Sequence, residues 1–149
     1  MSSGKTYEEY LAENGTLTYT FSGVSMNPML KQGRDLFTVK AKTAERCRKY
    51  DVVLYRRPPS HYVLHRVVKV REHDYVILGD NCIAKEYGIT DDDILGVLTE
   101  FVRAGKRISA ENRLYRFYAR VWYAFYPLRM LIKKGKRRMK RGNDAAEKT

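Results

Sequence analysis

Between Thr16 and Arg103 the apolar residues arrive in short β-branched and aromatic runs, each closed by a turn signal, a pattern that leaves no room for a long helix in that stretch. Thr16–Phe21 alternates as a half-buried strand does. Asp35–Lys40, Asp51–Arg57, His61–Arg71, Tyr75–Leu78 and Ile94–Arg103 follow, with Pro59, Asp74 and Gly79 among the breaks. Six strands of this kind predict a mainly β fold, compact and mostly antiparallel. A short helical pattern over Tyr7–Glu13 leads in. Ser25–Gly33, with Pro28 just inside and Gly33 at its end, predicts a second short helix with Ser25 at its N-terminus.

The period changes after Ser109. Leu114, Tyr118, Val121, Phe125, Leu128 and Ile132 recur at helical spacing and predict a C-terminal amphipathic helix, with Arg113, Arg116 and Arg120 on another face and a kink at Pro127. Lys133–Arg141 carries seven basic residues in nine, and Gly142–Thr149 reads as disordered. The expected organisation is a lead-in over residues 1–15, a β domain over 16–108, and the helix with its polybasic tail over 109–149.

The net charge of +12 lies wholly in that last part: residues 1–102 hold 14 Lys/Arg against 14 Asp/Glu, whereas 103–149 hold 15 against 3. Nucleic acid is not the expected partner, because aromatics that stack on bases normally sit on a sheet face, not along a helix stripe. An anionic membrane surface, met through residues 113–141, fits better. The expectation is a peripheral helix lying at the cytoplasmic face. The alternative is a single C-terminal span with the β domain outside, which would put Arg120 near the bilayer centre. A third possibility packs the stripe on the chain's own sheet. The first 20 residues contain neither a signal peptide nor an anchor.

No phosphate-binding loop and no Cys/His cluster is present, so neither a metal nor a cofactor is expected. Cys47 and Cys82, 35 positions apart, read as free thiols. What remains for chemistry is Ser25, His65 and a few carboxylates. Taken singly, each has an ordinary structural reading. The order in which they come carries more. Ser22-Gly23-Val24-Ser25-Met26-Asn27-Pro28-Met29-Leu30 with Gly33-Arg34-Asp35 resembles the serine box of the type I signal peptidase superfamily, S-G-x-S-M-x-P-x-[LF]-x-x-G-D. Asp51-Val52-Val53-Leu54-Tyr55, Leu64-His65-Arg66-Val67-Val68 and Leu78-Gly79-Asp80-Asn81 resemble its later boxes, in order.

The resemblance implies a signal-peptidase-like antiparallel β domain and a serine endopeptidase that cuts signal or leader peptides after small residues, with the substrate extended along a β edge. Histidine before Arg66 matches the archaeal and endoplasmic-reticulum subtype, in which the base is His and not Lys. Ser25 would then be the nucleophile and His65 the general base. Gly23, Met26 and Pro28 would shape the oxyanion and substrate site. The carboxylate that orients His65 is open: Asp80 stands first, then Glu86, where the family has a second aspartate, then Asp91–Asp93. Arg34, inserted before Asp35, and Glu86 depart from the pattern, and Glu86 keeps a second function alive: a non-catalytic peptide- or membrane-binding relative on the same scaffold.

Overall fold

A computed structural model describes residues 4–147. A capping box between Thr6 and Glu9 starts helix α1 (Tyr7–Asn14), and Gly15, at φ 75°, ends it. Eight strands follow: β1 (Thr16–Thr20), β2 (Leu36–Ala41), β3 (Val52–Arg57), β4 (His61–Val70), β5 (Tyr75–Leu78), β6 (Glu86–Ile89), β7 (Ile94–Arg103) and β8 (Lys106–Ser109). They form one antiparallel sheet in the order β1-β2-β7-β3-β4-β5-β6, with β8 beside β7. Two helices, α2 (Arg113–Ala124) and α3 (Tyr126–Glu147), close the chain. The mainly β class with a C-terminal helix is thus what the chain adopts.

Both faces of the central strands are covered. Val52, Leu54 and Leu64 point into a core shared with Leu11, Leu17 and the loop residues Met26, Met29 and Leu30. Val53, Tyr55 and Val67 point the other way, toward Cys47, Tyr75, Ile77 and Ile94. Strands buried on both sides lose the polar-apolar alternation of a half-exposed sheet, as β3 and β4 do. Consecutive side chains of one strand therefore meet two different environments.

Four expectations are corrected. Ser25–Gly33 is no helix but a chain of turns, with a cis bond at Asn27–Pro28 and a single α-type link from Leu30 N–H to the Met26 carbonyl. Met26, Met29 and Leu30 are all buried, so the segment turns to plug the sheet, and Pro28 has no N–H to donate to a helical ladder. Strands β6 and β8 were missed because they are four residues each and none of their residues is buried. The amphipathic segment is broken at Phe125 into two helices, since Pro127 cannot donate to the carbonyl of Tyr123. Finally, residues 142–147, expected to be disordered, continue α3. Among the described residues no helix is long and apolar enough to cross a membrane, which removes the spanning alternative for them.

Candidate active site

Strand β4 carries His65 opposite Val53 of β3, on the face of Tyr55 and Val67. The ring is 6% exposed. Its Nδ1 lies 3.2 Å from the Tyr55 hydroxyl, and that hydroxyl donates to Glu86 Oε1 at 2.8 Å. Tyr55 has one proton. With it given to the carboxylate, the hydroxyl can only accept from His65, so the Nδ1 must carry the imidazole proton and Nε2 is left bare. Arg57 also holds Glu86, donating through Nε to Oε2 at 3.2 Å and through Nη2 to Oε1. The chain from His65 to Tyr55 to Glu86 to Arg57 is thus directional and ends on a fixed charge.

Burial drives the His65 pKa down from 6.5 to about 4; Glu86 opposes the fall and Arg57 adds to it. The imidazole is neutral at physiological pH, the form a general base requires. Burial, and then the neighbouring Glu86, raise the Tyr55 hydroxyl, so it keeps its proton.

Nε2 points to Gly79. A methyl placed on Gly79 would lie 2.9 Å from His65 Nε2, 2.8 Å from the Ser25 carbonyl oxygen and 2.6 Å from Cys82 Sγ. Only a glycine lets the Ser25 loop and β4 close over this point. Asn81 then ties the loop down: its backbone N–H donates to the Ser25 carbonyl at 2.8 Å and its side-chain amide to the Val24 carbonyl at 3.1 Å. Ser25 is half-buried, and among the described residues no hydrogen bond joins its hydroxyl to His65.

The remaining sequence-derived residues divide. Gly23, at φ 90°, turns the chain into the loop, but its N–H is taken by Gln32 Oε1 at 2.8 Å and is not an oxyanion donor. Met26 is fully buried and packs in the core, so its side chain lines no cleft. Pro28 lines a groove together with Met29 and Tyr115. Asp80, ranked first to orient His65, faces the opposite side of the sheet: both its oxygens bind Arg66, at 2.8 and 2.9 Å, and the Tyr118 hydroxyl donates to it at 3.0 Å. Asp91 binds the Tyr75 hydroxyl and Lys42, while Asp93 caps Thr90, both away from His65. The carboxylate on the His65 side is Glu86, 3.6 Å from Nδ1.

Sequence reasoning missed Tyr55 and Arg57 as partners of the site, because two positions apart on β3 they read as strand and nothing showed that β6 would fold over them. It also missed three helix residues. Trp122 Nε1 and Arg129 Nη1 donate to the Asp80 carbonyl at 2.7 and 2.9 Å, and Lys133 donates to Asn81 Oδ1 at 2.6 Å. The helices thereby grip the turn that holds Ser25. Cys47 and Cys82 are free thiols; burial raises both, Cys47 to about 11. Among the described residues no group of His, Cys, Asp or Glu is placed to hold a metal.

No protein-family model, curated protein or solved structure matches the chain.

Proposed function

We propose that the chain is a serine endopeptidase of the signal-peptidase type, with Ser25 as nucleophile and His65 as general base. The observation that carries the reading is the convergence at Gly79: the serine loop and a bare, neutral imidazole nitrogen meet at one point, with the other nitrogen locked by Tyr55 and Glu86. In the reaction the Ser25 hydroxyl attacks the substrate carbonyl as its proton passes to His65 Nε2. The imidazolium returns that proton to the leaving amine, and water repeats the sequence on the acyl-enzyme. Glu86 is close enough to stabilise the transient imidazolium through Tyr55. The backbone N–H of Ser25, which has no partner among the described residues, supplies an oxyanion donor, a role worth roughly 3 kcal/mol in such sites.

An extended peptide substrate fits the strand geometry. From His61 to His65, β4 has ladder partners on β3 alone, and β5 joins its other edge only from Arg66 onward. Backbone pairing along that edge would bring a scissile bond to His65. The test is cleavage of a diverse peptide pool, read by mass spectrometry. Wild type should cut, and Ser25→Ala and His65→Ala should not while keeping the wild-type circular dichroism. Cuts by either variant remove the mechanism; peptide retention without cuts by wild type selects the binding-module reading.

A further inference from the structure

The outer face of α2 and α3 is unpartnered. The face turned to the domain is the one bearing Tyr115, Tyr118, Ala119, Trp122, Tyr126 and Arg129, through burial and through bonds to the Asp80–Ile83 turn. Of the stripe the sequence picks out, Tyr118 and Val121 are half-buried, Tyr118 against the core, and the rest is turned away. Leu114, Phe125, Leu128 and Ile132, with Phe117 and Leu131 beside them, are all at least half exposed, Leu114 at 80%, so most of the stripe does not pack on the chain's own sheet. Around it, Arg113 to Arg141 holds eleven Lys/Arg and no Asp or Glu.

The tertiary structure adds to this surface. The β7–β8 hairpin brings Arg103, Lys106 and Arg107 to the rim of a groove of about 620 Å³ that Leu114 shares with Met29 and Phe101. Beyond Lys133, α3 stands clear of the domain, exposed along 134–147. Exposed aliphatic side chains framed by cations, with no carboxylate between them, match one kind of surface.

We infer that this face docks on an anionic lipid bilayer, with Leu114, Phe117, Phe125, Leu128 and Ile132 in the headgroup-acyl boundary and the Lys/Arg residues against lipid phosphates. Charge complementarity selects this occupant. A second copy would bring the same cations against themselves. Nucleic acid would need a row of aromatics to stack on; Tyr118, Trp122 and Tyr126 are turned inward and bonded to the domain, which leaves only Phe117 and Phe125 among the aliphatic side chains of the outer face. Because the inner face of the same helices grips Asp80 and Asn81, docking would hold the Ser25 loop at a fixed place relative to the bilayer. The inference stands whether or not Ser25 is a nucleophile.

The experiment is co-sedimentation of the full chain with phosphatidylcholine vesicles, with and without phosphatidylglycerol, at low and high salt. Expected is binding to the anionic vesicles only, weakened by salt. Lys134→Gln/Lys136→Gln/Arg137→Gln/Arg138→Gln should weaken it by roughly a hundredfold after screening. Phe117→Glu/Leu128→Glu/Leu131→Glu should abolish it. All seven positions are exposed, and an unchanged urea midpoint verifies the fold; should the glutamate variant lose stability, the glutamine variant decides. Equal binding to neutral vesicles, no binding to either kind, or binding that neither variant alters overturns the inference. So does a dimer without vesicles that the glutamate variant dissociates, or displacement from vesicles by a single-stranded RNA oligonucleotide.

Discussion

His65 and Arg66 are neighbours on one strand, equally hidden from water, and the fold treats them in opposite ways. Arg66, 2% exposed, keeps its charge because Asp80 answers it with both oxygens, and the Tyr50 carbonyl, the Tyr115 hydroxyl and the Met29 sulfur accept from its remaining donors. His65, one residue away, has its nearest carboxylate, Glu86, at 3.6 Å from Nδ1 with no hydrogen bond between them, and stays neutral. A buried charge needs a partner in full contact, whereas a titratable group can shed its proton instead. On one face of β4 the result is a fixed clamp on the C-terminal helices; on the other it is a buried, neutral imidazole.

The largest way to break the comparison is to remove the answer to Arg66. Asp80→Asn leaves a buried guanidinium without its counter-charge and should cost about 3–5 kcal/mol, read as a shift of the urea midpoint, with loss of α2 docking visible in Trp122 fluorescence. On the other face, pH is the probe. The folded His65 has a pKa of about 4 against 6.5 unfolded, so between these values the unfolded chain takes up a proton that the folded chain refuses. Stability should therefore be intact above 6.5 and fall as pH drops through this window, by about 3 kcal/mol when complete. In His65→Gln that part of the pH dependence should vanish.

Gly79→Ala strikes the point where the two loops close. Its methyl would meet backbone and ring atoms inside 3 Å, so a loss of about 1–3 kcal/mol is expected, together with loss of any Ser25-dependent cleavage. The smallest effect on stability should come from Glu86→Ala, since Glu86 and Arg57 are partly exposed and such pairs contribute about 0–1 kcal/mol. Its effect on protonation should be clear all the same. Freed of the carboxylate, the Tyr55 proton turns to Nδ1, and ¹⁵N spectra of His65 should show the proton moved to Nε2, with cleavage lost. An unchanged tautomer would remove Glu86 from the positioning of His65.

Much of the β domain could be read from the chain, because strands buried on one or both faces announce themselves by β-branched runs between breaks. Two short strands could not: Glu86–Ile89 and Lys106–Ser109 have little apolar pattern and form because β5 and β7 offer them a partner. Ser25 and His65 were legible as a pair only through the order of the boxes. The partner of His65 was not legible, since Asp80 and Glu86 lie six positions apart on the same connection and differ only in the face they reach.

The sequence by itself determined the class of fold, the place of the helix and the isolation of charge in the tail, since all three rest on local period and composition. Tertiary structure alone decided that Asp80 belongs to Arg66 and Glu86 to His65, that Met26 is core, and that Tyr115, Tyr118 and Trp122 of α2 turn inward while Leu114 and Phe117 stay bare. The reason is that strand neighbours point to opposite sides of a sheet, and which carboxylate or helix waits on each side depends on chain segments tens of residues away.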